Sequence, residues 1–218
     1  MEQFLKGKTV LVTGAGWGIG AATALLYAAC GAKVIISDTS QKEGRNILAK
    51  IKNQKGNAIY IRADVSSPAE CGELVKTTIQ AYGSIDIACN NSVVFGEAPH
   101  PGEWDDVAGL NITSLNNCMQ YEIEAMQKQG GGVIVNTQSI ISAIAPASSS
   151  QYIETKYGTI MRLYKFRGTY PAIHIHTIAP AFISKMNMYG TIQEVARLIL
   201  WLSSDETHRS STVFNDTN

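Results

Sequence analysis

"TVLVTGAGWGIG", residues 9–20, decides how the rest of the chain is understood. A short β-rich apolar run breaks into glycines, and the helix-forming "AATALLYAAC" (21–30) follows at once. Gly14, Gly18 and Gly20 remove side chains where the backbone turns sharply and where another group must come close. The helix start beyond them offers unpaired N–H groups and the positive end of the helix dipole, which suits a pyrophosphate. A shorter frame, Gly16-x-Gly18-x-x-Ala21, also fits a dinucleotide fingerprint. A plain tight strand-to-helix turn would use the same glycines, so the surrounding pattern has to decide.

Downstream, short β-branched runs alternate with longer helical stretches. "KVIISD" (33–38), "AIYIRAD" (58–64), "IDIACN" (85–90), "GVIVNT" (132–137) and "IHIHTIA" (173–179) read as strands two to six. Between them lie "SQKEGRNILAKIKNQ" (40–54), a helix near 67–82, a long helix from about Trp104 to Lys128 and a helix over 152–166. "TIQEVARLILWLSS" (191–204) is a last amphipathic helix, with Leu198, Ile199 and Trp201 as core positions, and "STVFN" (211–215) a short final strand. Such alternation predicts an α/β fold: a doubly wound parallel sheet, Rossmann-like, of about seven strands with helices on both faces. The near-continuous apolar strands agree with a sheet covered on both sides. With no composition break or repeat, residues 1–218 are expected to form one dinucleotide-binding domain.

The bulk numbers exclude several functions. Lys+Arg and Asp+Glu are both 18, so the formal net charge is zero, and no basic run speaks for nucleic acid or a membrane surface. The first ten residues lack the apolar stretch of a secretory signal, and no apolar run is long enough to span a bilayer. The four cysteines (Cys30, Cys71, Cys89, Cys118) lack metal-type spacing and are expected to be reduced thiols of a cytoplasmic protein. His174 and His176 alternate in a strand without a carboxylate or cysteine nearby in sequence, so no metal site is expected.

Asp38 closes strand two, eighteen residues after Gly20. A carboxylate there can accept both hydroxyls of an adenosine ribose and would repel a 2′-phosphate. The residues after it are Thr39 and Ser40, not arginine, which favours NAD(H) over NADP(H). A turn or helix-capping role would also explain an aspartate at this point.

Several motifs in register resemble those of the short-chain dehydrogenase/reductase family. Residues 13–20 match its TGxxxGIG turn, with Gly14, Trp17, Gly18, Ile19 and Gly20 at cofactor-contacting positions. Asp64-Val65 match the Asp-Val pair that the family sets against the adenine. "CNNSV" (89–93) resembles the NNAG motif and puts Asn91 at the cofactor. Asn111 in "GLNITS", Ser139 in "GGVIVNTQSI" and Tyr152-x-x-x-Lys156 match the family's catalytic asparagine, serine, tyrosine and lysine. Ile183 keeps a further cofactor position.

The resemblance implies exchange of hydride between an alcohol or ketone and a nicotinamide. A free tyrosine titrates at about pH 10 and is too weak a base in neutral solution. The Lys156 ammonium beside Tyr152 would favour the phenolate, and Ser139 would hold the substrate oxygen against it. Lys156 would also bind the nicotinamide ribose, and Asn111 would pin a water that carries the proton onward.

The chain departs from the family pattern at five places. NNAG has become Asn90-Asn91-Ser92-Val93, and the Pro-Gly after strand six is Pro180-Ala181. Lys185 stands where the family has a threonine near the carboxamide. The substrate lid is reduced to "AFISKMNMYGTIQ" (181–193), truncated near 184–192, and "FNDTN" replaces an Asp-Gly-Gly turn at the end. A shortened lid is expected to leave the site open to water. Three activities are compatible with these residues. The first is an NAD(H)-dependent oxidoreductase for a bulky, mostly apolar secondary alcohol or ketone, with 93–95, 140–146 and Tyr189 as pocket walls. The second is non-redox chemistry on the same scaffold, cyclisation, isomerisation or dehydration, with Tyr152 as general acid. The third is a catalytically silent binding relative. The resemblance further implies pairing through the 104–128 and Tyr152 helices, with a homodimer favoured.

Overall fold

A computed structural model describes residues 3–91, 103–137, 169–178 and 191–204, with the side chains of 103–112 left aside. Among the described residues six strands form one sheet: β1 (Thr9–Val12), β2 (Lys33–Asp38), β3 (Asn57–Arg62), β4 (Ile87–Asn90), β5 (Gly132–Thr137) and β6 (Ile173–Ile178). Among the described residues the helices are α1 (Gly18–Ala29), α2 (Gln41–Asn53), α3 (Pro68–Tyr82), α4 (Glu103–Gln129) and α5 (Ile192–Leu202). The strand order is β3-β2-β1-β4-β5-β6, and every pairing is parallel. This is the doubly wound order expected from the alternation. The final strand proposed over 211–215 and the helix over 152–166 lie outside the described residues.

Strand alternation builds two cores. Val10 and Val12 of β1 face one side, with Val34, Ile36, Val133 and Val135, under Tyr27 of α1, Ile47 and Ile51 of α2 and Ile199 of α5. Leu11, Ile35, Ala88 and Ile134 face the other, under Leu74 of α3 and Met119, Ile123 and Met126 of α4. Neighbouring residues of one strand thus bury opposite faces of one sheet. Each fully buried Leu or Ile here contributes roughly 1.5–3 kcal/mol.

Element ends follow local chemistry. Ser40 and Ser67 cap α2 and α3 by accepting from the amides of Glu43 and Glu70, and Pro68 begins α3 where an N–H would have no helical partner anyway. Thr191 and Glu194 close a reciprocal capping box at the start of α5. The sequence predicts strand four from residue 85, but β4 begins at Ile87. Ile85 is held instead by the Gln129 side chain, which accepts from its amide at 3.1 Å and donates to its carbonyl at 2.7 Å. Asp86 turns its carboxylate to the Thr9 amide at 2.8 Å.

Candidate active site

The strand order reverses between β1 and β4, and the crevice beyond the carboxyl ends of those parallel strands is where such sheets bind ligands. The glycine turn lies there. The Thr13 amide donates to the Cys89 carbonyl at 3.0 Å, and the Asn91 amide donates to Thr13 Oγ1 at 3.2 Å, so the ends of β1 and β4 are stitched together. Gly14 and Gly18 both take φ +58, the left-handed region that favours glycine. A Cβ on Gly20 would run into the Gly14 carbonyl and come within 2.8 Å of Asn91 Nδ2. The turn is therefore closed to side chains on the inside, while the first amides of α1 have no partner within the helix. Trp17, at the N-cap, is 57% exposed. Such a cradle suits the pyrophosphate of a dinucleotide.

Asp38 is buried at the end of β2. Its Oδ2 accepts from the Gly16 amide at 2.8 Å and its Oδ1 from the Ser40 amide at 2.8 Å. The two roles weighed from sequence are thus compatible: the carboxylate ties the turn to β2, and each oxygen keeps a lone pair for a ribose hydroxyl. Tyr60 of β3 supports it by donating from its hydroxyl to the Asp38 carbonyl at 2.8 Å. The strand register adds something the local sequence around Asp38 lacks. Arg62 stands directly opposite Asp38 on β3 and forms an ion pair with Glu70 at 3.6 Å.

Asp64 and Val65 follow β3. Asp64 Oδ1 accepts from the Ser66 hydroxyl at 2.7 Å and the Ser66 amide at 3.0 Å, which hold its carboxyl below the usual carboxylate range. The Asp64 amide donates to Glu70 at 2.9 Å, and the Val65 carbonyl accepts from Asn117 Nδ2 at 3.2 Å. This loop is braced by α3 and α4, one strand away from Asp38.

Asn111 lies in α4, and Asn91 just after β4. Ser139, Tyr152, Lys156 and Ile183 lie outside the described residues, as do the altered 92–93 and 180–185 segments and the shortened lid up to residue 190; its last residues, Thr191–Gln193, cap and begin α5. β5 ends at Thr137, two positions before Ser139, beside the strand that leads into Asn91.

Sequence reasoning missed one group, Glu122. It sits on the buried stripe of α4 among Met119, Ile123 and Met126, and is only 1% exposed. Asn90 Nδ2 donates to its Oε2 at 2.9 Å and also to Asn136 Oδ1 at 3.1 Å. Burial pushes its carboxyl up to about 7, against a smaller opposing effect of the Asn90 bond. An acidic residue inside an apolar helical stripe was the available signal.

Residues 8–195 match the model of the short chain dehydrogenase family. The chain belongs to the short-chain dehydrogenase family. It is 30% identical to the short chain dehydrogenase/reductase astE of Aspergillus oryzae, over 92% of this chain and 89% of that protein. It is 28% identical to the cyclohexanol dehydrogenase of an Acinetobacter species, over 94% of this chain and 91% of that protein. A crystal structure of a short chain dehydrogenase from Mycobacterium smegmatis superposes with TM-score 0.84 at 28% identity, covering 96% of this chain and 91% of that one. As a short-chain dehydrogenase the protein is an oxidoreductase that uses a nicotinamide dinucleotide, and the glycine cradle and Asp38 fit that group.

Proposed function

We propose that this short-chain dehydrogenase uses NAD(H) to interconvert a secondary alcohol and a ketone on a bulky, mostly apolar substrate. The carrying observation is Asp38, a buried carboxylate fixed against the glycine turn with acceptor capacity left for two ribose hydroxyls. A 2′-phosphate at that point would meet the negative charge of Asp38. Gly14, Gly18 and Gly20 with Trp17 and Ile19 would hold the pyrophosphate, Asp64 and Val65 the adenine, and Asn91 and Ile183 the nicotinamide half.

When bound, the nicotinamide supplies hydride chemistry. Tyr152 removes the alcohol proton, or returns it to the ketone oxygen, while Ser139 keeps that oxygen in reach. Lys156 stabilises the phenolate and positions the ribose, and Asn111 orders the water that links Lys156 to solvent. The similarity to a cyclohexanol dehydrogenase supports a cyclic secondary alcohol as the first substrate to try. Four buried free thiols support a reducing, cytoplasmic location. Among the described residues no helix is long and apolar enough to cross a membrane. A homodimer is expected, with sedimentation as its check.

The test is titration of the protein with NADH and NADPH by fluorescence, followed by absorbance assays with NAD⁺ and a panel of cyclic alcohols. Tighter binding of NADH, turnover of at least one alcohol, and loss of turnover with retained NADH binding in Tyr152→Phe are expected. Preference for NADPH would overturn the cofactor assignment, and unimpaired turnover in Tyr152→Phe would overturn the catalytic one.

A further inference from the structure

The Asn90–Glu122–Asn136 cluster joins three elements beneath the proposed nicotinamide half of the site. Asn90 and Asn136 are register partners at the carboxyl ends of β4 and β5. One residue beyond the first is Asn91, and three beyond the second is Ser139. Glu122, from α4, is the buried group that reaches Asn90, and Met119 of the same helix reaches Asn136 through a 3.4 Å amide–sulfur contact.

The polar groups of this cluster do not balance if Glu122 is charged. Both hydrogens of the Asn90 amide are used, one on Glu122 and one on Asn136. Glu122 Oε1 and Asn90 Oδ1 are buried acceptors without a hydrogen-bond partner among the described residues. An ionised carboxylate leaves both unpaired in an apolar surround, which is costly. A proton on Glu122 gives the cluster the one donor it lacks. Among the described residues, the titratable groups that feel the charge of Glu122 are thiols. Cys118 lies on the same helix, with Cys71 of α3 behind it at 3.9 Å, and Cys89 of β4 lies on the opposite face of the sheet among Val133 and Val135. Burial, and for Cys118 first the Cys71 contact, keeps Cys89 and Cys118 protonated, so they bring no cation to stabilise a carboxylate. The β5 neighbour, Asn136, is neutral.

We propose that Glu122 is a positioning residue whose protonated form braces the ends of β4 and β5, and so Asn91, for dinucleotide binding. This rests on the assignment of the crevice as a nicotinamide dinucleotide site. Loss of the proton leaves a buried charge with no donor beyond the Asn90 amide, and the cluster has to rearrange or admit water. Affinity for the dinucleotide then falls as pH rises through the Glu122 titration.

The experiment uses the full chain and NADH, whose reduced ring is uncharged and so has no charge-driven attraction to a carboxylate. In the wild type the NADH Kd rises about threefold to tenfold between roughly pH 6 and 8.5. In Glu122→Gln, a neutral isostere able to pair with the Asn90 amide, it changes less than about twofold over the same range. A protonated-carboxyl infrared band is present in the wild type at the acid end, fades toward the alkaline end, and is missing in the variant. The same pH slope in Glu122→Gln as in the wild type, or no such band, overturns the inference while leaving the dinucleotide site standing. A wild type that binds neither NADH nor NADPH at any pH overturns the site assignment, and the inference with it.

Discussion

The Gly16 amide donates to the Asp38 carboxylate at 2.8 Å, across twenty-two positions of sequence. The glycine turn and the end of β2 therefore hold each other in place before any ligand arrives. The residue proposed to select the adenosine ribose is also part of what shapes the phosphate cradle.

Asp38→Ala is expected to affect both folding and binding. It leaves the buried Gly16 amide without its acceptor and frees Ser40, costing about 1–3 kcal/mol of stability. NADH affinity should fall at least about tenfold, and the preference against NADPH should shrink. Thermal unfolding and paired titrations of the two dinucleotides check this. Unchanged discrimination would remove Asp38 from the cofactor assignment.

Gly20→Ala tests the cradle directly. Its Cβ would strike the Gly14 carbonyl, a backbone atom that cannot rotate away. The turn has to open, at a cost of roughly 1–3 kcal/mol, and NADH binding should be lost or severely weakened. Calorimetric unfolding and titration separate the two effects. A variant as stable and as tight-binding as the wild type would show that the turn does not need this closeness.

Gly44→Ala probes support for Asp38 from the next strand. A Cβ on Gly44 would overlap the Tyr60 ring, whose hydroxyl donates to the Asp38 carbonyl. Displacing that ring is expected to cost about 1–3 kcal/mol, whereas Tyr60→Phe, which removes only the hydroxyl, should cost about 1 kcal/mol. Unfolding in urea compares them, and equal effects would mean that the hydrogen bond, not the packing, is what matters.

Glu122 makes stability depend on pH even without ligand. Its carboxyl is raised from 4.5 in the unfolded reference to about 7 in the fold, so the folded chain holds a proton that the unfolded chain releases. Its contribution is complete below the unfolded value and is lost as pH climbs toward the folded one. Compared with Glu122→Gln, the wild type should lose on the order of 3 kcal/mol across that window and then level off. Urea melts of both proteins at several pH values measure the difference, and a difference constant with pH would count against a buried, protonated Glu122.

What the sequence determined by itself was the order of elements, most of the faces they bury and the local shape of the turn. On α5, Ile199 is in the core as expected, but Leu198 and Trp201, also expected there, are exposed, and Ala196 and Leu202 are buried with Ile199 instead. Val10, Leu11 and Val12 point alternately because a strand has a period of two, and the 13–20 glycines sit where a strand gives way to a helix. These are short-range consequences of backbone geometry, visible in neighbouring residues. What only the tertiary structure decided depends on register between segments far apart in the chain. Arg62 comes beside Asp38 because β2 and β3 align residue for residue. Asn90 meets Glu122 across thirty-two positions and Asn136 across forty-six, which turns three polar residues in separate motifs into one buried cluster. Periodicity marks Glu122 as lying on an inward face. Whether a charge there finds a partner, and therefore which protonation state is stable, is set by packing alone.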